Sequence, residues 1–343
     1  MENKITLNPT ENNLRNKITS KTIALFFLIC LFPLFTYGID YIYRLFTNQG
    51  IYLPIPSGDT MLRTVIDVCL YMLLAVGLNI VCGFTGLLDL GYVGFYLVGG
   101  YTAGLLMTRL GISYWIALPI AVLNGAFWGL LRGVPTLRLT GDYFAIVTFG
   151  FAELLFRIVK VEDWLIGDID GMINEIPPPK IFNIQLDQLW HYYYQIFILL
   201  AIVVFVTYRL LHSRVGRAWV AIREDEQAAE STGINVSRYK LLAFAISAAI
   251  GALGGAFLGP FRAGISAGTF EFWESILIVC MVVLGGMGSI RGAIMGGAVL
   301  ASLGEILRWI LPDQFGDARY LIFGIILILL MRYRPDGLIP KKA

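Results

Sequence analysis

The chain has 343 residues, 57% of them hydrophobic and only 15% charged, with a formal net charge of +2. Soluble domains carry about 25% charged residues, so this composition, with a mean hydropathy of +0.72, excludes an ordinary soluble fold and indicates an all-α integral membrane protein. So small a net charge gives no sign of nucleic acid as a partner.

The first segment, Met1 to Lys21, is long and polar, and no small-residue cleavage site follows the next apolar run. It reads as a retained cytoplasmic tail, not a cleaved leader. Ten apolar runs then approach the ~20 residues that a spanning helix needs: Thr22–Ile42, Arg63–Cys82, Leu87–Met107, Tyr114–Leu131, Tyr143–Val161, Tyr192–Leu211, Leu241–Gly259, Ser275–Met287, Ala293–Leu311 and Arg319–Met331. Lys and Arg gather on the cytoplasmic side of membrane proteins. Lys4, Arg15, Lys17 and Lys21, then Arg132 and Arg138, then Arg209 to Lys240, then Arg332 to Lys342 fall on one side of a ten-span count. That places both termini inside. The cysteines Cys30, Cys69, Cys82 and Cys280 sit in apolar runs and read as small core residues. His191 and His212 have no neighbours at metal-ligand spacing.

Taken in order, the first interruption is Gly83-Phe-Thr-Gly86-Leu-Leu-Asp89-Leu-Gly91. A second, Gly285-Gly286-Met-Gly288-Ser-Ile-Arg-Gly292, repeats Gly83 and Gly86 at an offset of 202 residues, as Gly296 repeats Gly94. Paired glycine breaks in two halves of a transporter point to a substrate region and an internal repeat. Close helix packing is the competing explanation. Asp89 lies in an apolar setting where an ionised carboxylate is costly. It reads either as the N-cap of the next helix or as a pathway residue. Glu153 and Arg157, four apart on one helix face, neutralise each other, though a zwitterionic solute would also want such a pair. The loop 162–188 is acidic, stiffened by Pro177-Pro178-Pro179, and falls outside.

The polar interval 212–240 falls inside. From Arg217 to Glu230 it holds good helix formers and no proline, which predicts one short amphipathic helix. Ala228 and Ala229 would give it a shallow face for a partner, and Gly233 a left-handed stop. A solvated loop that happens to be helical satisfies the same pattern.

Five stretches carry a family resemblance. Glu226-Gln-Ala228-Ala229-x-x-x-Gly233 is similar to the coupling loop of ABC importer permeases, with the glutamate one place early. Leu78-Asn79-Ile-Val-Cys-Gly83-Phe-Thr85-Gly86-Leu-Leu-Asp89-Leu-Gly-Tyr92-Val-Gly-Phe-Tyr96, Arg138 to Val147, Val283 to Ser289 and Arg334-Pro-Asp-Gly-Leu338 resemble LivM-type permeases of branched-chain amino acid importers (binding-protein-dependent permease family 2). The resemblance runs from about Asp67 to Pro340.

It implies an ABC importer permease fold over 22–340, with the coupling loop at 212–240 and a tail at 341–343. Arg214, Gly216, Arg217, Arg223, Glu224, Asp225, Glu226, Ala228, Ala229 and Gly233 are the expected coupling residues. Asn79, Gly83, Thr85, Gly86, Asp89, Tyr92, Tyr96, Glu153, Arg157, Gly285, Gly286 and Gly288 are the pathway candidates. The implied activity is translocation of leucine, isoleucine and valine by alternating access in a bacterial inner membrane. It is not an enzymatic one, and this chain carries no cofactor of its own. ATP and Mg would bind two separate ATPase subunits, since no phosphate loop occurs in this chain. The remaining partners would be a second, LivH-type permease subunit, an external substrate-binding protein and the bilayer. Urea or short amides as cargo, and an ion-coupled secondary transporter, are the alternatives.

Overall fold

The computed structural model describes residues 32–36, 38–40, 57–139, 141–161, 171–181, 184–310, 324–325, 328, 332–333 and 337–339, and between Gly58 and Ile310 these include ten α-helices and four two-residue strands. The tail 1–21, the spans expected at Thr22–Ile42 and Arg319–Met331, the acidic stretch 162–170 and residues 341–343 lie wholly or largely outside those residues. The chain divides into two compact units, Met1–Arg63 and Thr64–Ala343. In the first, residues 32–36 and 38–40 are helical, and the Thr36 hydroxyl donates to the Pro33 carbonyl at 2.8 Å.

The helices are α1 (Gly58–Asn79, extended by a π turn over Ile80–Phe84), α2 (Val93–Thr108), α3 (Tyr114–Thr136), α4 (Asp142–Val161) and α5 (Leu189–Leu211). They continue as α6 (Arg214–Glu224), α7 (Glu226–Ser231), α8 (Val236–Arg262), α9 (Phe272–Gly285) and α10 (Ile290–Ile310). Six are long and apolar enough to cross a membrane: α1 with its π turn, α3, α5, α8, the run Ala267–Gly285 that contains α9, and α10. The apolar α2 is shorter at 16 residues, and α4 carries Glu153, Arg157 and Lys160. The chain is therefore a multi-pass helical membrane protein. Eight of the ten expected runs are helices among the described residues.

Helix α8 is the axis of the second unit. It packs closely on a glycine stripe: Phe244, Ala248 and Ala252 meet Gly133, Gly129 and Gly125 of α3, four residues apart on each helix. A Cβ at Gly129 would collide with the Ala248 side chain, and one at Gly99 of α2 with the Ala252 backbone. Lipid offers no hydrophobic drive for helices to associate, so close backbone approach of this kind holds them together. Helix α1 runs antiparallel to α8: Gly77 faces Ile250, Leu70 and Leu74 face Gly254, and Asp67 reaches Arg262.

Beyond the far end of α8, short strands tie down the loops. β1 (Ile173–Asn174) pairs antiparallel with β4 (Gly264–Ile265), and β2 (Lys180–Ile181) with β3 (Ile184–Gln185). Tyr192, in the first turn of α5, is buried, and its hydroxyl donates to the Pro260 carbonyl at 3.0 Å.

Candidate functional site

The segment expected to begin the third span at Leu87 is not helical there. Tyr92 and Phe95 lie against Gly251, half-way along α8, so residues Thr85–Tyr92 climb half the bundle as irregular chain. Backbone without helix survives at membrane depth only where protein satisfies its polar groups, and here side chains do so. The Asp89 N–H meets Cys82 Sγ at 3.4 Å, Leu90 N–H donates to Thr148 Oγ1 at 3.2 Å, and Gly91 N–H to Asp89 Oδ1 at 2.9 Å. Val93 N–H donates to Ser275 Oγ at 3.0 Å.

Asp89 is fully buried and takes a two-pronged hydrogen bond from Arg132, Nη1 to Oδ1 at 2.9 Å and Nη2 to Oδ2 at 2.5 Å. The guanidinium also lies 4.3 Å from the centroid of the Phe95 ring. The N-cap expectation for Asp89 is therefore corrected. Its one backbone bond is to Gly91, ahead of the helix, and its main partner is a base that the charge count put in a cytoplasmic loop. Arg132 lies inside α3 because that helix runs on to Thr136.

The two glycine breaks meet in space. Asn79, at the end of α1, accepts from the Gly288 N–H through Oδ1 at 3.0 Å and donates through Nδ2 to the Ser289 carbonyl at 3.3 Å. Gly86 and Gly288 both have left-handed backbone, with φ of +76° and +85°, a region open to glycine at no steric cost. Gly286 is left-handed too, and past Gly337 the chain docks on the end of α9: Leu338 N–H donates to the Leu284 carbonyl at 2.8 Å.

Arg223 of α6 reaches into this junction. Its Nη1 donates to the Gly83 carbonyl at 2.5 Å, its methylenes cover Gly86, and a Cβ on Gly288 would strike its guanidinium. The polar interval thus holds both breaks through one side chain.

That interval is two helices, not the single one expected from Arg217 to Glu230. Asp225 leaves helical geometry and caps α7, its Oδ1 accepting from the Gln227 and Ala228 N–H groups at 2.9 Å each. An aspartate offers more as an N-cap than inside a helix. Ser213 caps α6, accepting from the Val215 N–H at 3.1 Å. Trp219, fully buried, donates from Nε1 to the Tyr239 carbonyl at 2.8 Å and fixes α6 on α8. Glu226 pairs at 2.6 Å with Lys240, whose side chain is only 3% exposed, and so ties α7 to α8. Gly233 stops α7 at φ +87°, with Gly233 N–H donating to the Glu230 carbonyl and Ile234 N–H to the Ala229 carbonyl. This is the paired-bond helix stop that the Ala-Ala-x-x-x-Gly spacing implies.

The expected shallow face is half internal. Ala229 is buried against Ile222 and Val236, while Ala228 is exposed. Arg214, Arg217, Glu224 and Asp225 are exposed as well. Gly216 is buried, packed on the Leu211 backbone.

Among the pathway candidates, the Thr85 hydroxyl donates to the Val81 carbonyl at 2.8 Å, and Gly285 faces Gly292 across the α9–α10 hairpin. Tyr92 is fully buried, with its hydroxyl against Gly77. Tyr96 packs edge-on against Phe270. Glu153 and Arg157 are apart from this group: they pair with each other at 2.8 Å on the surface of α4, with Arg157 73% exposed. Sequence reasoning missed Arg132, Trp219, Lys240 and the Gly125, Gly129, Gly133 stripe. Of these only the stripe had a readable signal, its spacing of four.

A multi-pass helical protein with two broken helices, joined through Arg223 to a compact polar helix pair, has the architecture expected of a transport subunit. Comparison with known proteins agrees. Residues 60–331 match the family described as branched-chain amino acid transport system / permease component. The chain is 37% identical over 294 residues to the high-affinity branched-chain amino acid transport system permease protein LivM of Escherichia coli (strain K12), covering 79% of this chain and 68% of that protein. It is 24% identical over 318 residues to the probable branched-chain amino acid transport permease protein LivM of Methanocaldococcus jannaschii, covering 80% and 91%. It is 26% identical over 297 residues to the high-affinity branched-chain amino acid transport system permease protein LivH of Escherichia coli (strain K12), covering 79% and 91%. No solved structure matches. The chain belongs to the branched-chain amino acid transport system permease family.

Proposed function

We propose that this chain is one membrane subunit of an ATP-driven importer that translocates leucine, isoleucine and valine by alternating access. The observation that carries the reading is the Arg223 bridge. Helices α6 and α7 are braced onto α8 by Trp219 and by the Glu226–Lys240 pair, so a push on them moves them as one piece. Arg223 hands that motion to both glycine breaks. Family membership supports the cargo, and nothing favours urea, short amides or ion coupling.

On this reading two ATPase subunits, which bind ATP and Mg, seat against α6–α7 through Arg214, Arg217, Glu224, Asp225 and Ala228. A LivH-type permease subunit completes the pathway, and an external binding protein delivers cargo. The chain makes ten spans in a bacterial inner membrane, with both termini and 212–240 inside and 162–188 outside. Both breaks meeting Arg223 at one end of the bundle supports that sidedness. The shared positive φ of Gly86 and Gly288, 202 residues apart, supports the internal repeat.

The test is uptake into proteoliposomes holding the co-purified complex. Uptake should require ATP, and Ala228→Arg should abolish it while leaving the chain folded in the membrane. Uptake by this chain alone, driven by a proton or sodium gradient, would overturn the proposal.

A further inference from the structure

A groove of about 960 Å³ lies between α5 and the start of α10. One wall is a stripe of α5, made by Ala201, Val204, Phe205, Tyr208 and Leu211, whose spacing of three and four puts them on one helix face. Ile290 and Ile294 of α10 form the other wall. Leu338 and Ile339 border it too, held by backbone bonds to the Leu284 and Gly285 carbonyls at 2.8 and 3.0 Å. Ala201, Phe205 and Tyr208 are exposed, so the groove faces outward from the helices.

Its rim has the opposite chemistry. Arg291, in the first turn of α10, and His212, just past the end of α5, border the groove at the α6–α7 end. The Arg291 guanidinium is exposed and has no ion-pair partner among the described residues, and no carboxylate among them borders the groove. His212 Nδ1 donates to the Tyr208 carbonyl at 2.8 Å, which leaves Nε2 to take up a proton and donate to an anion. The Tyr208 and His212 rings lie 4.2 Å apart between centroids. An aromatic ring thus adjoins the bases, as it does at the headgroup level of a membrane.

Length fixes the kind of occupant. Ala201 to Leu211 spans ten helical steps, about 15 Å at ~1.5 Å each. Half of a ~30 Å hydrocarbon core is about 15 Å as well. The apolar part is therefore one leaflet deep, with positive charge at one end only. A phospholipid has that division, and a soluble metabolite does not.

From this match we infer that the groove binds an anionic phospholipid, with its phosphate at Arg291 and His212 and one acyl chain along the α5 stripe. Basic pockets between membrane helices suit anionic headgroups. A zwitterionic headgroup would bring its own cation to an unpaired arginine, and like charges repel. Gly288 and Ser289 also border the groove, and Asn79 holds both of them. The headgroup would therefore rest beside the second glycine break. Binding here does not depend on the cargo.

The experiment places the chain, with the partner chains that co-purify with it, in lipid nanodiscs. The probe is phosphatidylglycerol with a diazirine on one acyl chain, compared with phosphatidylcholine carrying the same group. Label from phosphatidylglycerol should map to residues 201–211 and 290–294 and exceed that from phosphatidylcholine about five-fold or more. Arg291→Gln should lower the phosphatidylglycerol label about five-fold, the scale of one basic side chain near an anionic surface, and Arg291→Lys should keep most of it. Both variants should melt at the wild-type temperature, because the guanidinium they remove has no ion-pair partner among the described residues. Ala201→Trp, which narrows the apolar end, should lower the label from both lipids. Equal labelling by the two lipids, phosphatidylglycerol label unchanged by Arg291→Gln, or label displaced by excess inorganic phosphate overturns the site. So does the absence of label from both peptides, which would mean that a protein segment covers the groove. Should Arg291→Gln melt early, the wild-type ratio between the two lipids and the Ala201→Trp result decide.

Discussion

Asp89 and Arg132 show what a membrane interior demands of single residues. Removing either partner leaves an uncompensated buried charge, which costs about 3–5 kcal/mol, whereas replacing both with apolar groups is often neutral. Asp89→Leu and Arg132→Met should therefore each lower the melting temperature in detergent sharply, and the double variant should recover much of the loss. A double variant as unstable as the sum of the two would show that the pair is no unit. Arg223 is a different kind of residue, since it is half-buried and its bond to Gly83 joins two elements. Arg223→Ala should keep the fold and ATP hydrolysis but cut amino acid uptake by about ten-fold or more, the scale of one hydrogen bond to a charged donor. Equal loss of both activities would mean that Arg223 serves assembly and not transmission. None of these pairings was legible in the sequence, because partners 43 and 140 positions apart meet only once the helices pack.

At the scale of elements, the α6–α7 pair is the part most readable from sequence. Its cap residues, its alanines and the glycine stop follow local rules, and the stop at Gly233 is where the spacing placed it. What local rules missed was the division at Asp225, where a good N-cap outweighs continued helix, and the direction each alanine faces. Ala228 is exposed and Ala229 is buried. Ala229→Arg should therefore unseat α7, read as faster amide exchange over 226–233, whereas Ala228→Arg should leave exchange unchanged. Glu226→Gln removes the charge opposite Lys240, a side chain 3% exposed, and should cost about 1–3 kcal/mol for the polar group left wanting. That loss would appear as a lower unfolding temperature. Glu226 thus ties α7 to α8.

At the scale of the whole molecule, α8 organises the packing of α1, α2 and α3 within the second unit. Its contacts with α2 and α3 leave no room for a side chain at Gly99, Gly125 or Gly129. Overpacking of this kind costs about 1–3 kcal/mol or more, so Gly129→Val should reduce folded protein in the membrane. Full expression with native stability would argue against the close α3–α8 contact. The sequence by itself determined that this is a multi-pass helical membrane protein, its family, and the local shape of its coupling segment. Composition, run length and capping chemistry act within a few residues, so they can be read in one dimension. Only the tertiary structure decided that the two glycine breaks touch, that Arg223 bridges them, that Asp89 has a guanidinium for a partner, and that α5 and α10 leave a groove between them. Those facts depend on which helix faces lie together, and in a chain so uniformly apolar no hydrophobic stripe announces them.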